Sequence, residues 1–496
     1  MKKAATLALF GLLSQAPFLS AGSYEIEAIE VPPYVVPEVG GLGFTPDGEL
    51  VVALRRHGIL MAKPSENPSA FPWRAFSTDS LHNSCGIQVI SRNEVIVSQM
   101  AELTRVLDTD HDGIADRYEN IAAPWGVSGN YHETNTLVPD EQGGWYVSVG
   151  TASHNGPTFA HTRGAFATNG RTGRNYAAVP WKGWILHLDA AGNSTPIASG
   201  FRMANGIARD PQGRLFATDN QGDWKGTSPL YHVEEGKFYG HPSSLVWDEA
   251  FMENVSNDPL QYYIDDFEQY QQDRTRAAVE LPHGFMCNSP SEPLFDTTGG
   301  AFGPFAGQAL IGDIAGDRIL RCMIEEVDGV LQGAVVKFID GGLGAGNNRL
   351  AFSPDGKSLY VGQTVRGWAK NLAEGLKRVI YTGELPFEVQ NISLEKDGFT
   401  LTFTKPISSA SSYQLANYAA KSYWYKSFHA YGSPQMDLQE LEIPKIQVDG
   451  NTLFIQVPQL QADRIVELNL PADLQAADGT PLGQSQICYT IRKLRK

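Results

Sequence analysis

Asn130-Tyr131-His132-Glu133-Thr134-Asn135-Thr136-Leu137-Val138-Pro139-Asp140, running on to Gly143-Gly144-Trp145-Tyr146-Val147-Ser148-Val149-Gly150, is the stretch whose reading decides the fold. A polar cluster leads into a short apolar strand, and Pro139, Asp140 and Gly143 supply a tight reversal. Tyr146, Val147 and Val149 give the returning strand its β-branched and aromatic character. The same grammar recurs at Gly41–Val52, Gly86–Val97, Asn205–Ala217, Pro304–Asp313 and Arg349–Val361. A spacing of about 45 to 50 residues, with several short strands in each copy, predicts a β-propeller. Six copies predict six blades over residues 24–385.

The rest of the composition agrees. Fifty glycines and 29 prolines in 496 residues suit an all-β chain with many turns. The net charge of −16, with no basic stripe, argues against nucleic acid as a partner. Met1-Lys2-Lys3, the apolar run Ala4–Leu13 and small residues up to Ala21-Gly22 read as a signal peptide over residues 1–22. The expected location is therefore secreted, periplasmic or extracellular, and no other segment is apolar for long enough to span a bilayer. Cys85, Cys287, Cys322 and Cys488 form no CxxC pair and no CxxCH, which excludes covalent c-type haem. One or two disulfides, or buried free thiols, both suit them.

Beyond Gly383-Glu384-Leu385-Pro386 the style changes to period-two strands such as Phe399–Phe403, Thr452–Val457 and Ile465–Leu470. These predict a separate small β-sandwich over residues 386–496. Trp247–Arg276 lacks the repeat grammar and reads as an insertion between blades four and five, on one face of the propeller.

Two groups of residues carry candidate chemistry. In Asp108-Thr109-Asp110-His111-Asp112-Gly113-Ile114-Ala115-Asp116, with Glu119 beyond, acidic oxygens fall at loop positions 1, 3, 5, 9 and 12, and glycine at position 6. That spacing wraps a hard cation, so Asp108, Asp110, Asp112, Asp116, Glu119 and the Ile114 carbonyl are expected calcium ligands. The second group follows from propeller geometry, in which residues just before each innermost strand ring one mouth of the central channel. His132, Arg202, His283, the run Asn347-Asn348-Arg349, and Asn83 with Ser84 are the matching positions. A histidine there can take a proton and an arginine can stabilise developing negative charge.

At this point the residues resemble known families. His132-Glu133-Thr134-Asn135 with Tyr146–Gly150 is similar to the third-blade motif of the glucose/sorbosone dehydrogenases. Gly200-Phe201-Arg202-Met203-Ala204-Asn205-Gly206 resembles their G-x-R-N-P-x-G segment, with Met203-Ala204 in place of Asn-Pro. Phe238-Tyr239-Gly240-His241-Pro242 resembles their N-Y-G-W-P. The Asp108 loop, the Pro304–Asp313 segment, Arg366-Gly367-Trp368, Phe403–Pro406 and Tyr431–Pro434 look closer still to the membrane-bound-dehydrogenase-type family of planctomycetes and verrucomicrobia.

The resemblance implies a six-bladed propeller with pyrroloquinoline quinone at its channel mouth and calcium polarising it. His132 would be the base on a sugar hydroxyl, Arg202 would contact the quinone oxygens, and Arg349 would match a later cofactor-binding arginine. Asn348 and His283, by their places at the channel mouth and not by the resemblance, are expected to complete the cofactor set. The implied function is oxidation of a sugar or related hydroxyl compound, with electrons passed to an external acceptor. Two other readings stay open: a non-redox glycan-active enzyme (lyase, lactonase or hydrolase) and a non-catalytic carbohydrate- or protein-binding propeller.

Overall fold

A computed structural model describes residues 22–78, 81–100, 102–127, 136–153, 163–167, 173–255, 258–364, 375–410 and 414–496. His132 and Arg366-Gly367-Trp368 lie outside the described residues. The described residues open on strand β1 (Tyr24–Ile29), followed by four-stranded antiparallel sheets one after another. Sheet one holds β2 (Val39–Phe44), β3 (Leu50–Leu54), β4 (Gly58–Ala62) and β5 (Arg74–Ser77). Sheet two holds β6 (Gly86–Ser91), β7 (Glu94–Ser98), β8 (Leu103–Leu107) and β9 (Arg117–Ala122). Sheet three starts with β10 (Leu137–Pro139) and β11 (Trp145–Val149). A two-stranded ribbon, β12 (Ala152–Ser153) with β13 (Asn175–Tyr176), precedes its outer strands β14 (Trp184–Leu188) and β15 (Ser194–Ser199). Sheet four holds β16 (Gly206–Arg209), β17 (Leu215–Thr218), β18 (Ser228–Val233) and β19 (Val279–Leu281).

Sheet five begins with β20 (Pro290–Phe295), β21 (Ala309–Asp313), β22 (Arg318–Val327) and β23 (Val330–Asp340). Sheet six comprises β24 (Asn347–Phe352), β25 (Ser358–Gln363) and β26 (Gly375–Tyr381), and β1 completes it in antiparallel register from Tyr24 opposite Tyr381 to Ile29 opposite Leu376. The first strands of the six sheets, β2, β6, β10, β16, β20 and β24, pack on one another in a closed ring. The two ends of the ring are thus fastened by hydrogen bonds within one sheet.

Packing between sheets explains why the inner strands read as continuous apolar runs. Side chains alternate in a strand, so β3 sends Val51 and Ala53 to one neighbouring sheet and Leu50, Val52 and Leu54 to the other. Val51 and Ala53 meet Val95 and Val97, while Leu50 and Val52 meet Tyr360 and Leu376. Each such buried aliphatic contributes on the order of 1.5–3 kcal/mol.

The C-terminal part holds β27 (Val389–Glu395), β28 (Gly398–Phe403), β29 (Ala419–Trp424), β30 (Met436–Leu441), β31 (Ile446–Asp449), β32 (Thr452–Gln456), β33 (Arg464–Asn469) and β34 (Gln486–Ile491). One sheet runs β27-β28-β32-β31. The other strands do not stand apart. β34 pairs with β23, Val335 opposite Cys488, so that sheet five continues as β20-β21-β22-β23-β34-β33-β29-β30. The long hairpin of β22 and β23 carries Met323, Ala334 and Val336 into the same core as Phe399, Leu401, Ile487 and Tyr489. All four cysteines are buried and free.

The stretch from Trp247 to Arg276 lies within sheet four, between β18 and β19, not between two blades. It begins on a 3₁₀ turn (Pro242–Trp247) and forms helices α1 (Glu249–Asn254), α2 (Pro259–Asp265) and α3 (Phe267–Asp273). Asp248, Asp258 and Asp266 cap them by accepting from the N–H groups of Phe251, Leu260 and Gln269. Among the described residues no helix is long and apolar enough to cross a membrane.

Candidate functional site at the ring mouth

In an antiparallel blade, the starts of strands one and three and the ends of strands two and four share one face of the ring. That face therefore gathers the turn before β16, the β17–β18 loop and the segment after β19. The turn Gly200–Asn205 is fixed by Asp219, whose carboxylate accepts from the N–H of Arg202 at 2.8 Å and of Met203 at 2.6 Å. Asp219 is itself buried beside the Lys225 ammonium at 3.2 Å. Lys225 also donates to the carbonyl of Gly200 and the hydroxyl of Tyr231, both at 3.0 Å. Burial lowers the Lys225 pKa, and Asp219 partly offsets this.

Arg202 is the centre of the site. Its Nε donates to Asp223 Oδ1 at 2.7 Å and its Nη2 to Asn175 Oδ1 at 2.9 Å, leaving Nη1 without a partner among the described residues. The guanidinium packs closely against Gly222, where a Cβ would fall 2.2 Å from Arg202 Cζ; only glycine allows that approach. The Tyr431 ring lies 5.3 Å from the same guanidinium. Asp223 also accepts from the Asn175 N–H at 3.0 Å and lies 3.3 Å from His241 Nε2. Burial alone would raise the Asp223 carboxyl, but the hydrogen bond from His241 and the hydrogen bond and charge of Arg202 outweigh it and hold the group well below the usual carboxylate range. Burial lowers the His241 pKa and favours neutral imidazole, with Nε2–H donating to Asp223 and Nδ1 accepting from the Ser243 hydroxyl at 2.8 Å.

Ser243, His241 and Asp223 have the residue types of a hydrolytic triad. Ser243 and His241 are 0% exposed and Asp223 is 4% exposed, so a substrate carbonyl has no route to the hydroxyl. Their role is to hold Arg202.

The other mouth residues separate from this centre. Arg349 is buried and donates to the carbonyls of Gly40, Cys85 and Asn348 and to Asn348 Oδ1. Asn348 donates to the Val39 carbonyl and accepts from Asn205. Together they lace the starts of β24, β2 and β6 and the turn before β16 across the axis. Their polar atoms are already committed, so they do not fit a cofactor-binding role. His283 is exposed and follows β19 rather than standing just before β20. Asn83 accepts from Arg55 Nε at 2.7 Å, and Ser84 is buried. His132, the expected base, lies outside the described residues.

Glu292, on β20, was not singled out from the sequence. Its carboxylate lies 3.5 Å from Arg349 Nε, and burial pushes it up to about 7 against the pull of that guanidinium. A lone glutamate in Ser289-Pro290-Ser291-Glu292 carries no local signal; only ring closure brings it to Arg349.

The acidic loop joins β8 to β9. Carboxylate oxygens of Asp108, Asp110 and Asp112 lie within 4.8 Å of one another. Asp108 accepts from the N–H groups of Asp112 and Gly113, and Gly113 takes the positive φ of 95° that the sharp turn needs. The structure gathers these three and leaves two others out. Asp116 turns back to accept from the N–H and hydroxyl of Thr109, and Glu119 sits on β9 against Arg105 and Arg117. Ile114 is exposed and donates its N–H to Asp112.

The wall of the site comes from two distant segments. Trp224 packs with Leu245, Leu260, Tyr263 and Tyr270 of the helical insertion, and with Phe428 from the C-terminal part. The Trp224 N–H donates to the Phe428 carbonyl at 2.7 Å, and the Gly432 N–H to that of Gly222 at 2.9 Å.

No protein-family model and no curated protein matches the chain. Solved structures do match it. The PQQ domain of a pyranose dehydrogenase from Coprinopsis cinerea aligns over 73% of this chain and 96% of its own, at 13% identity and a TM-score of 0.48. A PQQ-bound aldose sugar dehydrogenase from Streptomyces coelicolor aligns over 74% and 99%, at 15% identity and a TM-score of 0.47. An iodide structure of a Trichoderma reesei carbohydrate-active enzyme of family AA12 aligns over 76% and 100%, at 13% identity and a TM-score of 0.51. At that identity the last likeness speaks for architecture, and the architecture is an all-β propeller.

Proposed function

We propose that this chain is a propeller oxidoreductase that oxidises a sugar or related hydroxyl compound at the ring mouth, using pyrroloquinoline quinone as cofactor. The observation that carries the reading is Arg202: a buried guanidinium oriented by Asp223 and Asn175, with one N–H edge left to meet a ligand. The architecture shared with a carbohydrate-active enzyme and the dehydrogenase-like motifs around Arg202 support it. Arg202 fits the cofactor, whereas Arg349 and Asn348, spent on the protein's own carbonyls, do not. When bound, the quinone supplies an acceptor for hydride from the sugar carbon. Arg202 Nη1 then holds an oxygen on which negative charge develops, and Asp223 prevents that guanidinium from swinging away. His132 takes the hydroxyl proton. Calcium at the Asp108-Asp110-Asp112 loop, export of the chain and an external electron acceptor belong to the same proposal.

The test is dye-linked oxidation of an aldose panel by protein loaded with quinone and calcium. His132→Ala should lower kcat by roughly 10² to 10⁴, and Arg202→Ala should abolish reduction of bound quinone. Absence of both quinone binding and sugar oxidation in the unaltered protein refutes the reading.

A further inference from the structure

Tyr431 is 53% exposed yet rigidly placed: it pairs with Asp223 as an antiparallel bridge, and the next residue bonds to Gly222. Two guanidiniums face its ring, Arg174 at 4.3 Å and Arg202 at 5.3 Å. Arg202 is neutralised by Asp223. Arg174 is exposed, and no acid among the described residues pairs with it. Its backbone is nonetheless fixed, because the adjacent Asn175 on β13 bonds to Arg202, Asp223 and Thr151. Three distant segments thus bring a half-exposed aromatic ring, and beside it a guanidinium that no acid among the described residues pairs, to the edge of the site.

We infer that the substrate is an acidic sugar, its ring face lying on Tyr431 and its carboxylate taken by the Arg174 fork. A planar guanidinium matches a carboxylate in two parallel hydrogen bonds, and an aromatic face suits the C–H face of a pyranose. The inference rests on the sugar reading above and names its substrate class.

Isothermal titration with D-glucuronate and D-glucose, which differ only at C6, tests it on protein with and without quinone and calcium. The unaltered protein should bind glucuronate at least roughly 10-fold more tightly, as a charge-assisted contact supplies. Arg174→Gln should erase that preference, and Tyr431→Ala should weaken both sugars. Arg174 is exposed, so its substitution leaves the fold intact; melting curves of both variants check this. No glucuronate binding, no preference, or a preference that survives Arg174→Gln overturns the inference. Arg174-dependent binding of glucuronate without its oxidation supports the acidic-sugar site and refutes the oxidoreductase reading instead.

Discussion

Removing the Asp223 carboxylate is the sharpest perturbation this structure offers. Asp223 meets Arg202 at 2.7 Å with side-chain exposures of 6% and 8%, and it faces His241 at 3.3 Å with none. Asp223→Ala leaves a desolvated guanidinium with only Asn175 as a partner. Breaking a buried pair in this way costs about 3–5 kcal/mol. Chemical denaturation of Asp223→Ala, Arg202→Ala and the double variant is the assay. The double variant should be more stable than the sum of the singles predicts, with a coupling of at least about 1 kcal/mol. The pH dependence has a fixed sign. A carboxyl held low in the folded state contributes stability above the ordinary carboxylate pKa of about 4 and loses it as pH falls further. The gap between the unaltered protein and Asp223→Asn should therefore narrow in acid. An Asp223→Ala loss under about 1 kcal/mol, strictly additive with Arg202→Ala, would refute the claim that the pair holds the site.

Three further outcomes follow from other elements. Chelator should lower the melting temperature of the unaltered protein, by an amount growing with calcium excess over Kd, and Asp112→Ala should abolish that sensitivity while Asp116→Ala should not. Because burial raises Glu292 to about 7, the folded state binds its proton more tightly than the unfolded chain; stability should fall as pH rises from about 4.5 to 7, by up to about 3 kcal/mol, and Glu292→Gln should flatten that fall in a denaturation series. Arg321, buried under the C-terminal part, donates to Gln308 Oε1 at 2.6 Å and the Val389 carbonyl at 2.7 Å, so Arg321→Ala should cost about 3 kcal/mol in chemical denaturation, and a loss below about 1 kcal/mol would show that this contact is incidental.

What the sequence could and could not reveal divides by the range of the interaction. The strand-turn-strand copies were readable because Asp-Gly turns and apolar alternation are local, and each marks the first two strands of a sheet; only near Pro304 does the copy fall on the second strand. The Asp108-Asp110-Asp112 trio was readable for the same reason. Asp116 and Glu119 were not, because spacing does not say that Asp116 turns back onto Thr109 or that Glu119 sits on a strand between two arginines. Here β9 follows, and an extended chain rising about 3.3 Å per residue carries Glu119 away. The insertion was placed one element too late since nothing local says that β19 will close sheet four some 45 residues after β18 ends. His283 was misplaced by the same error: it leaves β19 instead of entering β20.

The least legible feature is the one that joins the two halves of the chain at the site. β34 adds to the open edge of β23, a pairing that protects a long exposed strand from association with other chains. That junction also fixes where β29 and β30 lie, and so carries the loop 425–433 back over the mouth of sheet four. There Phe428 enters the Trp224 cluster and Tyr431 comes to rest beside Arg202, more than two hundred residues away along the chain. The cation and its aromatic neighbour therefore depend on an edge-strand pairing made on a different blade. A change that loosens β34 from β23 acts on the site through this loop, by way of Tyr431, Phe428 on Trp224 and Gly432 on Gly222, while Arg202 keeps Asp223 and Asn175 from the propeller itself. The C-terminal strands thus govern what approaches Arg202, and the propeller governs how Arg202 is held.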